Sequence, residues 1–395
     1  MILSDVCEFI VDCPHSTAPD EGKGYPLIRT PNVGKGRLDL NGVHRVSESV
    51  YKQRIQRGSP QANDLIFARE APAGNVALVQ ENQTVCLGQR TVLIRPNVQK
   101  VNPRYLVYYL LSPKPQYELL GTANGATVAH VNLPAIRNLK IELPEKSVQD
   151  KIGTILVSYD DLIENNQKQI KLLEEAAQRL YKEWFVNLRF PGHENTKIVD
   201  GVPEGWSVYP FSSKVDIMSG GTPKTSIPDY YNGKIPFYTP KDSDGAFFAY
   251  KTQMNITEGG LKNCNSRLYP PQTVIITARG TVGKTTILAV PMAMNQSCYA
   301  LKMKENDAPY YLFFALNNEI KALQTMANGG VFNTIIGKTF DSINIQIPKD
   351  PLIYGFEETV RPFMEQIKNK LQANSKLVEA RDRLLPKLMS GEVKV

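Results

Sequence analysis

The sequence predicts an α+β protein built from two pseudo-repeated α/β modules separated by two long helices that pack on each other. Three observations carry this prediction. The chain repeats itself: Asn124-Gly125 lines up with Asn328-Gly329, an offset of 204 (328 minus 124). Two long segments carry apolar residues at steps of three and four. The remainder is rich in short β-like runs, among them YPLIRT, DLIFAR, TVLIRP, KIPFYTP and TVIITAR.

The repeat sets the order of the elements. At the same offset, NLKIELPEK (138–146) meets SINIQIPKD (342–350). Each reads as a strand with every second residue apolar, closed by Pro144 or Pro348. The offset continues into the helices, where Leu173, Glu175, Ala176, Arg179 and Leu180 fall on Leu377, Glu379, Ala380, Arg383 and Leu384. Upstream the copies match at shifted offsets. DLIFAREAPAG (64–74) resembles VIITARGTVG (274–283), which sets Arg69 against Arg279. Leu87-Gly88-Gln89 resembles Met294-Asn295-Gln296, and Thr30-Pro31 resembles Thr239-Pro240. Elsewhere the modules differ freely, as one scaffold carrying two recognition surfaces would; an old duplication without divided roles would look the same. The expected organisation is a module at 1–145, a long helix and linker at 146–196, a second module at 197–349 and a C-terminal long helix at 350–395.

The first module combines its strand-like runs with a helical stretch, PRYLVYYLL (103–111). The first long helix is expected from about Asp150 to Phe185, with a seam of Ile152, Ile155, Tyr159, Leu162, Asn166, Ile170, Leu173, Ala177, Leu180 and Trp184. Its steps contain one extra four, a stutter near Asn166. Such a helix is ~54 Å long at ~1.5 Å per residue, and Pro191-Gly192 ends the segment. The second module again mixes strands with a helix, PYYLFFALNN (309–318). The second long helix is expected from about Tyr354 to Met389, with Phe356, Val360, Phe363, Ile367, Leu371, Val378, Leu384 and Leu388 on its seam. Pro362 predicts a kink or a later start. Neither helix is stable alone in water, so they most simply pack together. The residues expected to pair them are Ile170, Leu173, Leu180, Trp184, Leu371, Leu377, Leu384 and Leu388, with Asn166 and Asn374 fixing register.

Charge narrows the function classes. The formal net charge is +7, and the excess sits in the modules: 16 basic against 13 acidic residues in 1–145, and 15 against 11 in 197–349. That permits nucleic-acid binding without requiring it. No apolar run approaches the ~18 residues of a membrane span, and the N-terminal residues do not read as a secretory signal. Five scattered cysteines without a C-x-x-C pair point to reduced thiols in a cytoplasmic protein. No metal-ligand cluster is present.

Enzymatic motifs are missing or incomplete. RGTVGKTT (279–286) supplies Gly283, Lys284 and Thr285 of a phosphate-binding loop, but Ala278 stands where its first glycine belongs. The following TTILAV reads as a strand, not a helix. There is no Asn/Asp-Pro-Pro-aromatic motif and no glycine-rich cofactor loop after a strand. Glu319-x-Lys321 lacks a partner acid for a nuclease site, and His15, His44, His130 and His193 are isolated. No residue is therefore assigned a catalytic role. For DNA the useful groups are Arg and Lys on loops. These are Arg29, Lys35, Arg37, Arg69 and Arg90 in the first module, and Lys224, Lys241, Arg279 and Lys284 in the second. A residue shared by both modules is expected to touch phosphate or hold its loop, since base contacts should differ between them. Three readings stay open on these residues: a DNA reader, an adaptor that assembles other proteins, and an enzyme built around Lys284.

With these segments in view, nearly the whole chain resembles the specificity subunit of type I restriction–modification systems. The resemblance rests on VPEGWSV (202–208), LLEEAAQRLYKEWFVNL (172–188), RDRLLPKLMSGEV (381–393) and the paired module ends NGATVAHVNLPAIRNLKIELP and NGGVFNTIIGKTFDSINIQIP. It departs at MILSDV, which has no Pro-Glu-Gly-Trp lead-in, so the first strand of the first module is the least defined. The resemblance implies that each module is a target-recognition domain reading one half of a split double-stranded DNA target. It implies an antiparallel coiled coil of the two helices. It also implies docking of two modification subunits that bind S-adenosylmethionine and methylate adenine at N6, joined by restriction (motor-nuclease) subunits. The chain itself would be non-catalytic and bind no cofactor.

Overall fold

The computed structural model describes residues 1–121, 130–326, 334–335 and 337–395. The Asn124-Gly125 and Asn328-Gly329 match lies outside the described residues. The chain forms two compact units, Met1–Asn165 with Asn374–Val395, and Asn166–Ala373. Each unit therefore contains one module and part of each long helix.

The first unit has a five-stranded sheet in the order Cys7–Asp12, Thr91–Pro96, Leu65–Ala68, Val76–Leu78, Gly36–Arg37. All its pairings are antiparallel except the last. A smaller sheet joins Arg45–Val46, Tyr25–Ile28 and Cys86–Leu87. Leu65, Ile66, Phe67 and Ala68 are all fully buried. Their central strand is covered on both faces, which is why it reads as a continuous apolar run rather than an alternating one. Leu65 and Phe67 face a core shared with the helix Pro103–Leu111, while Ile66 and Ala68 face Ile28, Val33 and Leu87.

The second unit repeats this topology. Its five strands run Val215–Ser219, Cys298–Met303, Val274–Thr277, Thr285–Leu288, Phe248–Ala249, again with only the last pairing parallel. Asn255–Ile256, Tyr231–Tyr238 and Ala293–Met294 make the smaller sheet. Ser207–Pro210 pairs with Asn344–Ile347. The first unit holds a bridge between Ile2 and Lys140 at the corresponding place. Leu3 N donates to Leu139 O at 2.9 Å there, as Phe211 N donates to Ile343 O at 2.8 Å in the second unit.

These hydrogen bonds correct two of the sequence equivalences. Arg69 N donates to Arg90 O and Val131 N to Arg69 O, at 2.9 and 3.0 Å. Their counterparts are Ala278 N to Ser297 O and Ile335 N to Ala278 O, at 2.7 and 2.9 Å. Arg69 thus stands opposite Ala278, and Glu70 opposite Arg279. The Ala-Arg dipeptide common to both stretches slid the alignment by one residue. Likewise Arg29 N donates to Asn32 Oδ1 where Thr239 N donates to Asp242 Oδ2, so Arg29, not Thr30, matches Thr239. The match of Leu87-Gly88 with Met294-Asn295 holds, because Gly88 N donates to Ile28 O as Asn295 N does to Tyr238 O.

The first long helix is Lys146–Tyr181, followed by a π-helical turn, Lys182–Val186. The second is Asp350–Ser390 and runs on through Pro362 and Pro386. Each proline removes one main-chain donor. Around Pro362 the fully buried Val360, Met364 and Ile367 hold the backbone helical regardless. In the second unit the end of the first helix meets the start of the second: Tyr181 and Trp184 each lie 5.9 Å from Phe356 between ring centroids, and Phe185 lies 5.1 Å from it. In the first unit Asn374 Nδ2 donates to Ile163 O, and Arg381 pairs with Asp160 at 2.5 Å. The helices are therefore antiparallel.

Of the expected pairing residues, Ile170 and Leu388 are buried, and Leu173, Leu180, Trp184, Leu371 and Leu384 pack half-buried on the cores. Leu377 is half-buried. Leu162 and Val378 are exposed, contrary to the seam read from the sequence. The seam passes instead through Asp160 and Ile163, because a buried charge occupies a seam position that apolar periodicity cannot register. Asp160 Oδ1 accepts from Arg381, and its Oδ2 accepts from the Tyr108 hydroxyl. At the 204-residue offset the same three positions in the second unit are Met364, Ala177 and Leu312, all buried. One unit thus closes this junction with a charged cluster and the other with apolar side chains.

A second asymmetry gives a pH-dependent term. Glu357, almost wholly buried, accepts the Tyr311 N–H at 2.7 Å in the first turns of the helix Pro309–Met326. Its counterpart at the offset is Gly153, where a Cβ would come within 2.9 Å of Tyr105 N. Burial pushes the Glu357 carboxyl up to about 7, opposed by the Tyr311 and Tyr310 N–H groups and the Arg361 charge, with Asp307 adding to the rise. Burial raises the half-buried Glu174 to about 7 as well. A carboxyl raised on folding contributes stability that is present below its unfolded value and lost as pH rises through about 7. From pH 6 to pH 8 the second unit is expected to weaken by about 1–2 kcal/mol. Glu357→Gln should remove the larger part of that slope. Urea midpoints at both pH values test this, and an unchanged slope in the variant would contradict the assignment.

Candidate nucleic-acid interface

In each unit the strand ends and loops at one end of the five-stranded sheet gather most of the basic residues read from the sequence. In the first unit Cys7–Asp12 and Leu65–Ala68 finish there and Thr91–Pro96 begins there. The Arg69 guanidinium donates to Asp12 Oδ2 at 2.6 Å and to Val131 O at 2.8 Å, and its third nitrogen lies 2.9 Å from His130 Nε2. It is largely shielded and engaged within its own module, so it holds the loop. His130 Nδ1 lies 2.6 Å from Glu70 Oε1, and Glu70 Oε2 contacts Arg90. Burial, with the neighbouring Arg69 and Arg90 charges, lowers the His130 pKa and keeps the ring neutral at pH 7. Arg90 is mostly exposed. Arg29 is half-buried at the head of the turn Thr30–Asn32, with its Nε buried and without a partner among the described residues. Gln89, beside Arg90, donates to His15 O.

Lys35 and Arg37 belong to a different place. Arg37 is ion-paired with Asp161 on the first long helix, and Gly36 lies against Asp160 and Tyr108. Gly36 has φ +89°, and a Cβ there would meet Asp160 Oδ2 at 2.5 Å. Lys35 is exposed beside Arg381 and Asp382 in a cleft of about 200 Å³.

In the second unit Lys224, Lys241, Arg279 and Lys284 are all exposed. Three sit at the sheet end corresponding to that of the first unit. The loop carrying Arg279 is tied to the turn carrying Lys241 by Thr281 Oγ1, which donates to Pro240 O at 3.2 Å. Thr222, two residues before Lys224, donates to Gln296, the counterpart of Gln89. Lys284 instead lines a groove of about 900 Å³ with Glu175 and Arg179 of the first helix and Lys182 of the turn that follows it. Its N–H is taken by Thr277 Oγ1 at 3.0 Å, and Thr285–Leu288 is a strand. A phosphate-binding loop feeds a helix N-terminus, so the nucleotide reading of Lys284 fails on geometry.

Among the described residues no cluster of histidine, cysteine or acidic side chains could hold a metal. Burial pushes the Cys7, Cys86 and Cys298 thiols up to about 12, which leaves them unreactive at pH 7. Glu319 is a half-buried carboxyl whose pKa is raised by burial, against the hydrogen bond it accepts from Asn318. No described helix is long and apolar enough to cross a membrane.

The family model of the type I restriction modification DNA specificity domain matches residues 1–175 and again 203–372, one match per repeat. The chain belongs to that family. The MjaIX specificity subunit of Methanocaldococcus jannaschii is 28% identical across 90% of this chain and 83% of its own length. The HindI specificity subunit of Haemophilus influenzae is 24% identical across 87% and 88%. The crystal structure of a type I S subunit from M. genitalium shares the fold, with a TM-score of 0.59 and 17% identity over 98% of this chain and 95% of that one. As a type I specificity subunit, the chain directs its complex to a DNA target sequence and is non-catalytic. The surroundings of Arg90 carry no sequence signal: Glu70, His130 and Asp12 are ordinary loop and strand-end residues until the fold brings them together.

Proposed function

We propose that each unit reads one half of a split double-stranded DNA target. The observation that carries this is the pairing of one topology with different chemistry. Equivalent positions at the same end of the two sheets hold Glu70 and Arg279, Arg90 and Ser297, Arg29 and Thr239. A shared scaffold with different groups at its loops is what reading two unlike half-sites needs. Arg90, Lys224, Lys241 and Arg279 are the DNA-facing residues favoured by exposure. Arg69 and Arg37 act from within as supports, and Lys35 and Lys284 lie beside the helices. The antiparallel pair carries two modification subunits, which bring S-adenosylmethionine and methylate adenine at N6, and restriction subunits join them. The assembly works in the cytoplasm, in keeping with free cysteines.

Footprinting of the chain with its cognate modification subunits tests this. Two short protected blocks separated by an unspecified gap are expected. Sequence-blind binding with a steep salt dependence would instead mark an adaptor whose basic surfaces are incidental.

A further inference from the structure

At the sheet end of the first unit, five side chains form one chain of hydrogen bonds: Asp12, Arg69, His130, Glu70 and Arg90. Its polarity is fixed. Arg69 can only donate, so His130 Nε2 accepts and Nδ1–H donates to Glu70. Glu70 then keeps its other oxygen for Arg90. Asp12, Arg69 and Glu70 are mostly shielded and His130 is partly exposed, while Arg90 is the most open: its side chain is 61% exposed against 14% for Glu70. Among the described residues Glu70 is the only side chain that pairs with Arg90, through one terminal nitrogen. A guanidinium carries five N–H donors in a planar fork, so this contact leaves others for a further partner. Arg90 also holds φ +62°, a left-handed conformation unusual for a residue with a side chain.

We infer that Arg90 reads a guanine in the half-target of the first unit, with Glu70 as the residue that positions it. This rests on the bipartite reading above. Three arguments separate base reading from phosphate binding. A carboxylate in contact with the guanidinium weakens attraction to phosphate, but it orients the fork for the O6 and N7 acceptors of a guanine edge. The equivalent position in the second unit is Ser297, and base contacts must differ between modules where phosphate contacts need not. Finally, a side chain already held in place loses less entropy on binding than a free arginine would.

The test uses the full chain with its modification subunits and reads the methylated motif from genomic DNA. The half-target belonging to the first unit is assigned by exchanging residues 1–145. Arg90→Gln should relax or shift one G:C position in that half, toward adenine, with about a tenfold loss of discrimination; the other half stays unchanged. Glu70→Ala should relax the same position, and Glu70→Asp should restore it. An unchanged motif in Arg90→Gln overturns the inference. So does uniformly weaker methylation of an unaltered motif, the signature of a phosphate or scaffold contact. Should Arg90→Gln abolish methylation altogether, Glu70→Ala, which keeps the arginine, decides by the same two criteria. A wild-type chain that yields no split motif overturns the bipartite reading itself, and this inference with it.

Discussion

Arg381→Ala is expected to destabilise the first unit by about 3–5 kcal/mol, because it leaves Asp160 buried without its cation. Asp160 is 3% exposed and sits between the guanidinium and the Tyr108 hydroxyl, with Gly36 close to its Oδ2. Asp160→Ala should cost less, since Arg381 keeps Asp382 at 2.8 Å. The informative variant is the triple Tyr108→Leu, Asp160→Met, Arg381→Ala, which installs the buried Leu312, Met364 and Ala177 arrangement of the second unit. Replacing a buried ion pair by packed apolar groups is neutral or stabilising by about 1–4 kcal/mol. The triple variant should therefore unfold in urea at or above the wild-type midpoint. A triple variant as unstable as Arg381→Ala would show that the two junctions are not interchangeable.

The second large effect concerns the modules. Exchanging residues 1–145 for the corresponding module of another specificity subunit should change one half-target completely and leave the other intact. The physical basis is that the first module builds its own cores around Leu65–Ala68. Its contacts to the helices run through Asp160, Asp161 and Ile152 of its own unit. A donor lacking Arg37 and Tyr108 should fold less well, because Asp161 loses its ion pair and the buried Asp160 keeps Arg381 but loses the hydroxyl on its other oxygen. Methylation motifs of the exchanged chain decide the matter, and altered bases in both halves would contradict independent reading.

Much of the architecture was legible in the sequence because repetition and helical periodicity act over long windows. The strand Leu65–Ala68 and its twin Val274–Thr277 were readable as apolar runs. The seam went astray at Leu162, where Asp160 takes an inward position that hydrophobic spacing excludes. The pairing of Arg69 with Arg279 went astray for a related reason: identical letters outweighed register, and register is held by backbone hydrogen bonds that carry no letter. For the candidate interface, residue type identified the exposed cations, but not which were committed elsewhere. Arg37 and Arg69 look like Arg90 in the sequence. Only the folded chain places Asp161 and Asp12 beside the first two and leaves the third facing outward.

The central claim is that one chain reads two half-targets and thereby places methylation. Methylome sequencing of host DNA, with and without this gene beside its expressed modification partner, tests it most directly. An N6-methyladenine motif of two short defined halves around an unspecified gap is expected, present only with the gene. A methylation pattern that is the same without the gene, or a motif in one uninterrupted block, would contradict it.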